Sequence, residues 1–151
     1  RPLWRDRLMS VDASGTGVLL TARTEGFIVG RPDLAETVGR LAAFADAGAD
    51  CLYAPGLRSD FEIVAVVAAV APRPVNLLVN GHFISVAQAA QLGVRRISVG
   101  GALARAAWSG VLAAAREIAG HGTFAALSAA VPSSEIEDRF PARDRAPEDS
   151  A

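Results

Sequence analysis

Polar side chains follow strand-like stretches of this sequence at several points, and their types suit contacts with an anion. Arg23 ends the first such stretch, Asn80 follows the third, and Arg105 lies one turn into the helix after the fourth. A guanidinium is a planar, permanently charged fork that matches a carboxylate or a phosphonate. A side-chain amide both donates and accepts, so it can hold an oxygen atom while its own orientation is fixed.

Each of these residues also has an ordinary structural interpretation. Arg23 could pair with an acidic residue of a neighbouring loop, and Arg105 could do so on a helix surface. Asn80 precedes a glycine, and that dipeptide favours a turn in any case. Asn76 is the alternative amide if the third strand is placed two residues away. The residue types alone leave these interpretations open.

Four further residues at the same strand ends are secondary candidates: Glu25, His82, Ser98 and Gly100. Glu25 could orient Arg23, or it could be a solvated loop carboxylate. His82 fits a loop histidine better than a catalytic base. Ser98 and Gly100 close the fourth strand, where backbone N–H groups at the start of a helix can receive an anion. No residue is assigned as catalytic.

The composition excludes several kinds of chemistry. All fifteen basic residues are arginine, so a lysine Schiff base and a Walker-A lysine cannot occur. Sixteen acidic residues bring the net charge to -1, which gives no long-range field to attract nucleic acid. The one cysteine, Cys51, and the two histidines do not make a zinc set. Cys51 is expected to be a buried apolar group within a strand.

Membrane insertion is not expected either. The longest near-apolar run, residues 63–71, is about half of the roughly 20 residues that a bilayer span needs. No leader pattern is recognised, so the expected location is the cytoplasm.

Apolar runs of strand length alternate with alanine-rich segments of helix length, which is the pattern of βα units around a parallel sheet. Strands are predicted at residues 18–22, 51–54, 75–79 and 96–99. Helices are predicted at residues 34–47, 61–71, 86–92, 100–119 and 123–131. The predicted helix N-caps are Asp33, then Ser59 or Asp60, then Ser85.

The spacing of the strands is that of a (β/α)8 barrel, the TIM-barrel type of α/β fold, and four units make half of one. Residues 1–131 are assigned to this half barrel, and residues 1–12 could be the end of an earlier helix. The segment 132–151 is charged and contains prolines, so it is predicted to be a disordered tail.

Four pieces of sequence together resemble the isocitrate lyase/phosphoenolpyruvate mutase family. They are Ala22-Arg23-Thr24-Glu25, then Ala47-Gly48-Ala49-Asp50, then Pro74-Val75-Asn76, then Gly93-Val94-Arg95-Arg96-Ile97-Ser98 with Gly100 and Arg105. Their order and spacing carry the resemblance, which runs from about residue 17 to residue 124. The family is a Mg²⁺-dependent (β/α)8 barrel that makes or breaks C–C or P–C bonds in 2-oxo acids and phosphoenolpyruvate-like substrates through an enolate.

The resemblance implies roles for several residues. Arg23 matches an arginine that binds a substrate carboxylate or phosphonate, and Arg105 looks like one that some lyases use on a carboxylate. Asn80 and His82 lie where the family places polar substrate contacts. The family's Asp-x-Asp metal-binding segment and its lyase loop Lys-Lys-Cys-Gly-His are not found in the chain. The family's later Glu-Asp pair of metal ligands is not found in the stretch that resembles the family. Where some lyases have a glutamate, this chain has Gly56.

The resemblance therefore implies the C-terminal half of a carbon–carbon lyase or phosphonomutase-like enzyme that acts on small 2-oxo or dicarboxylic acids and is inactive alone. Mg²⁺ would belong to the complete domain, because its ligands are not in this chain. The alternative is a non-catalytic half barrel that serves as an assembly module, through unpaired sheet edges and apolar helix faces. The expected partners are a small carboxylate or phosphonate, and either further copies of the chain or a missing N-terminal half. Trp108 and Phe124 are expected to pack between helices or at an interface.

Overall fold

The structure is a computed structural model, and it describes residues 17–140. The strands are β1 (Thr21–Arg23), β2 (Cys51–Tyr53), β3 (Val75–Leu78) and β4 (Arg96–Ser98). The helices are α1 (Leu34–Asp46), α2 (Asp60–Val70), α3 (Val86–Gln91), α4 (Ala102–His121) and α5 (Ser133–Glu137), with a 3-10 turn at Ala125–Ala129. The chain divides after Leu103 into two units, which are described in turn.

The first unit is an α/β layer built on a parallel sheet with the strand order β1-β2-β3-β4. Because each strand pairs with the strand before it, every crossover moves in the same direction and the helices cover one face. The predicted α/β class and parallel sheet are thereby confirmed. This sequential order differs from that of a doubly wound sheet, whose strand order reverses part-way.

Apolar side chains bind the sheet to its helices. Leu52 of β2 and Val75 of β3 are fully buried, and they belong to one cluster with Leu41 of α1 and Val66 of α2. Side chains alternate between the faces of a strand, so the residues between these point the other way. We call that side of the sheet its polar face, and it is formed by Thr21, Arg23, Cys51, Tyr53, Asn76, Leu78, Arg96 and Ser98.

The sheet curves toward its polar face. Nη1 of Arg96 on β4 donates to Oγ1 of Thr21 on β1 at 2.8 Å, although these are the two outer strands. In a flat sheet three strand spacings separate them by about 14 Å, which is more than an arginine side chain and a hydrogen bond can span. The sheet must therefore bend, as the wall of a barrel does.

The predicted helix starts are confirmed by their hydrogen bonds. The Asp33 carboxylate accepts from the N–H of Glu36 at 2.8 Å, and Ser59 and Ser85 cap α2 and α3 through capping boxes. Several ends differ from prediction by one to three residues. The clearest case is β1, predicted at residues 18–22, which begins at Thr21 because its partner β2 begins at Cys51 and the ladder between them is three residues long.

The second unit contains most of α4, the 3-10 turn and α5. No residue of α4 is buried, and Trp108 and Phe124 are exposed, so neither packs between helices within residues 17–140. The predicted helix over residues 123–131 is the shorter 3-10 turn. The Glu117 carboxylate accepts from the Thr123 hydroxyl at 2.6 Å and from two backbone N–H groups of the turn, and these bonds lower the pKa of Glu117.

Helix α5 lies inside the segment predicted to be a disordered tail, so the chain stays helical further than expected there. The predictions for residues 1–12 and for the end of the tail lie outside the described residues. No helix between residues 17 and 140 has the length and hydropathy of a membrane span.

The glycines offer a matched test of this packing. Gly93 has φ +90°, and an added Cβ would lie 2.7 Å from Cγ1 of Val67, whereas Gly39 within α1 would place its Cβ in open space. We expect Gly93→Ala to lower the free energy of unfolding by roughly 1–3 kcal/mol. Gly39→Ala should raise it by about 0.5–1 kcal/mol, since alanine favours helix. Urea denaturation measures both, and equal effects would contradict the packing described.

Candidate anion-binding site

Two of the predicted site residues lie at the same edge of the sheet. Arg23 is the last residue of β1, and Asn80 follows the end of β3 by two residues. Because the strands are parallel, their carboxyl ends share one edge, which is where α/β proteins place their ligands. Arg23 and Asn80 are exposed there.

The guanidinium of Arg23 is held on one side and on its face. Its Nε and Nη2 contact the Glu25 carboxylate, with Nη2 3.0 Å from Oε2. Its Cζ lies 5.0 Å from the centroid of the Tyr53 ring, a stacking distance. Glu25 is thus the partner of Arg23 rather than a free loop carboxylate. Tyr53 was not among the predicted residues, although its register opposite Arg23 follows once the strands are paired.

Asn80 has a partner that the sequence did not reveal. Nη2 of Arg58 donates to Oδ1 of Asn80 at 2.7 Å, and Cζ of Arg58 lies 4.4 Å from the centroid of the Phe83 ring. Arg58 follows β2 in the chain, so the signal that could have found it was its place after a strand end. The structure therefore brings a second arginine to the edge that holds Arg23.

Asn76, the alternative to Asn80, lies deeper in the sheet. It is 2% exposed, and its Nδ2 donates to Oγ of Ser98 at 2.9 Å. Its Oδ1 is buried and has no hydrogen-bond partner among the described residues. Such a group costs about 1–3 kcal/mol when left unpaired. Asn80 is consequently the amide that reaches the edge, and the Ser98 hydroxyl is engaged inside the sheet.

Two glycines of this edge have backbone conformations that side chains disfavour. Gly56 has φ +101°, and an added Cβ would lie 2.9 Å from Cβ of Phe27. A glutamate like that of some lyases would not fit at this position. Gly100 has φ +53° and lies in the turn before α4. His82 is exposed in the loop between β3 and α3.

Arg105 lies on α4 in the second unit, where it is exposed. Its backbone carbonyl accepts from the Ser109 hydroxyl at 2.9 Å. Its convergence with Arg23 and Asn80 on one cavity stays a prediction.

The described residues do not fit a magnesium site. Between residues 17 and 140, no three side chains of His, Cys, Asp or Glu come together as metal ligands would. Glu25, the carboxylate beside Arg23, is taken by the guanidinium. Carboxylate oxygens are the protein ligands that Mg²⁺ prefers, so these residues by themselves support no reaction step through the metal.

Arginines also lie at the opposite, amino edge of the sheet. A cavity of about 640 Å³ there is lined in part by Asp50, Arg95 and Arg96. The Asp50 carboxylate accepts from the N–H of Leu20 at 2.8 Å, and Arg96 is engaged by Thr21. This cavity is the alternative to the carboxyl edge as a binding site for an anion.

A carboxylate fixes the backbone of Arg58. Desolvation raises the pKa of Glu62, but hydrogen bonds from the backbone N–H groups of Ser59 and Arg58 outweigh it, so the pKa lies below its ordinary value. Glu62 thereby holds the start of α2 and the loop that carries Arg58.

Residues 6–119 match the family described as phosphoenolpyruvate phosphomutase. The chain belongs to this family. The match covers most of the first unit and most of α4, and it confirms the resemblance drawn from the sequence.

Solved structures agree with the family assignment. A protein from Burkholderia cenocepacia J2315, provisionally assigned as a lyase/mutase, is 43% identical with a TM-score of 0.80, over 91% of this chain and 52% of that one. Oxaloacetate acetylhydrolase with its product oxalate is 28% identical with a TM-score of 0.74, over 88% and 47%. The superfamily member 2,3-dimethylmalate lyase is 25% identical with a TM-score of 0.73, over 88% and 48%.

This phosphomutase-family chain spans about half the length of the solved structures that it matches. No curated protein matches it significantly.

The Glu62 contacts predict a pH dependence. Folding lowers the pKa of Glu62 below its ordinary value of 4.5, so the ionised carboxylate stabilises the fold fully at pH values above 4.5. This stabilisation is lost as the pH falls through the lowered pKa. Glu62→Gln should cost about 0.3–1 kcal/mol of unfolding free energy at neutral pH, the usual contribution of a charge at a helix N-terminus. Chemical denaturation of both proteins over a pH series checks this. A difference that persists unchanged in acid would contradict it.

Proposed function

We propose that this chain is the C-terminal half of the barrel of a Mg²⁺-dependent carbon–carbon lyase or phosphonomutase-like enzyme. It binds the anionic group of a small 2-oxo or dicarboxylic acid that reacts through an enolate. The other half of the barrel supplies the metal ligands and the acid–base groups, and the chain alone is inactive. The observation that carries this proposal is the guanidinium of Arg23, aligned by Glu25 and Tyr53 at the carboxyl edge of the sheet.

Three features support a half barrel. The four strands follow one another in sequence order, the sheet bends toward its polar face, and the chain spans about half of its relatives. The polar face would then line the interior of the barrel, and the carboxyl edge would form part of its active-site mouth.

The geometry of Arg23 suits an anion. Glu25 occupies the side of the guanidinium formed by Nε and Nη2, which leaves the N–H groups of Nη1 directed elsewhere. Tyr53 fixes the plane of the fork. An arginine held in this way presents its donors with little further loss of freedom, which favours a carboxylate or phosphonate.

The relatives and the donors support the proposed substrate class. One relative is an oxaloacetate acetylhydrolase seen with oxalate, and another is a dimethylmalate lyase. Both names denote chemistry on small carboxylates. Arg23 and the amide of Asn80 are the groups that we assign to substrate binding. Arg105 is the predicted third contact, and Ser98, Gly100 and His82 stay secondary candidates.

We expect Arg23→Ala to weaken transition-state binding by roughly 1.5–3 kcal/mol, the usual range for a hydrogen bond to a charged group. The assay measures kcat/KM for oxaloacetate cleavage in a protein that joins residues 1–151 to a metal-binding N-terminal half. Arg40→Ala is the control, because Arg40 pairs with Glu36 on the outside of α1. An unchanged kcat/KM for Arg23→Ala would remove the assignment.

The same assay applied to residues 1–151 alone should give no EDTA-sensitive turnover. Metal stabilisation of an enolate contributes several kcal/mol, and the described residues do not supply the ligands. Turnover by the chain alone that EDTA abolishes would contradict the division of labour between the halves.

A second candidate function is an assembly module without catalysis. Helix α4 has no buried residue and exposes large apolar side chains: Leu103, Trp108, Val111 and Leu112. Among the described residues, β1 and β4 each pair on one side only. Exposed apolar faces and strand edges favour association, so we propose a homo-oligomer for the isolated chain.

Light scattering tests this association. We expect a mass above that of one 15.6 kDa chain. Replacing Trp108 and Leu112 by glutamate should lower the mass, because both side chains are exposed on α4. A monodisperse monomer with a cooperative melt would contradict the proposal.

A further inference from the structure

Arg58 is exposed, yet the fold specifies its position. Its Nη2 donates to Oδ1 of Asn80 at 2.7 Å, and its guanidinium stacks on the Phe83 ring with Cζ 4.4 Å from the ring centroid. The hydrogen bond fixes the end of the side chain and the ring fixes its plane. Both partners come from the loop after β3, whereas Arg58 comes from the loop after β2. The contacts therefore hold the guanidinium at the carboxyl edge of the sheet.

No carboxylate within residues 17–140 forms an ion pair with Arg58. Three arginines of this part of the chain pair with carboxylates, in the pairs Arg23–Glu25, Arg40–Glu36 and Arg139–Glu135, and Arg58 is not one of them. The carboxylate nearest to Arg58 in sequence, Glu62, accepts from the backbone N–H groups of Arg58 and Ser59 instead. Arg58 thus has no carboxylate partner among the described residues, and its two contacts hold it in a fixed place.

The pair of Arg58 and Asn80 offers donors to a ligand. Oδ1 of Asn80 is occupied by Arg58, so the amide has its Nδ2 group left to donate. The remaining N–H groups of the guanidinium add charge-assisted donors. This donor set favours an anion. Arg58 comes from the loop after β2, the strand next to the one that ends with Arg23, and Asn80 comes from the loop after β3, so both donors lie at the edge that holds Arg23.

We propose that Arg58, held by Asn80 and Phe83, binds the second anionic group of a substrate whose first carboxylate lies on Arg23. This inference rests on the proposed function, because it takes Arg23 as the first anion contact. It assigns a specificity to the site: a dicarboxylate is preferred over a monocarboxylate of the same length, and Arg58 is the residue that makes the distinction.

The test uses the 151-residue chain with succinate and butyrate, which have equal chain lengths but two carboxylates and one. Calorimetric titration should show tighter binding of succinate. Arg58→Gln keeps an N–H donor for Asn80 but removes the charge, so it should weaken succinate binding roughly ten- to hundredfold and leave butyrate binding unchanged. Arg58→Lys restores the charge without the planar fork and should recover part of the preference.

Two further variants separate the outcomes. Arg73→Gln removes an exposed charge from the turn between α2 and β3, at the other edge of the sheet, and should keep the full preference for succinate. If Arg58→Gln also keeps it while Arg23→Gln loses both ligands, this inference is overturned and the proposed function stands. If succinate does not bind, or if Arg23→Gln binds both ligands unchanged, the proposed function fails and this inference fails with it.

Discussion

Burial of one face of the sheet is the constraint on which the rest of the molecule depends. Leu52, Val75 and Leu77 pack with α1 and α2 in a single cluster, so the side chains between them must point to the other face. That requirement puts Arg23, Tyr53 and Asn76 side by side. The sequential strand order then gathers the carboxyl ends at one edge, and the bend of the sheet turns the polar face into a concave wall.

Two kinds of arginine lie at that edge. Arg23 pairs with Glu25 and is oriented by Tyr53, whereas Arg58 is oriented by Asn80 and Phe83 and has no carboxylate partner within residues 17–140. We assign Arg23 to a directional hydrogen bond with a ligand, and Arg58 to an ion pair whose anion the ligand supplies. In the site that we propose, the two arrangements would distinguish ligands by geometry and by the number of their charges.

Local features of the fold could be predicted from the sequence, because they depend on neighbouring residues. The caps at Ser59 and Ser85 need only a partner three residues further along the chain, and both are present. The pairing of Arg58 with Asn80 and that of Arg96 with Thr21 could not be predicted, since each joins residues from different strands or loops and depends on how the sheet bends. The predicted length of β1 was wrong for a related reason, because a strand is defined by its partner as well as by its own residues.

The binding position of oxalate on the chain tests the anion site most directly. A ¹⁵N NMR titration reports each backbone amide and the side-chain N–H groups of arginine and asparagine. We expect saturable shifts at Arg23, Tyr53 and Asn80, at the carboxyl edge of the sheet. Shifts confined to Arg95 and Arg96, which line the cavity at the amino edge, would place the anion at the wrong end of the strands and contradict the assignment of the site.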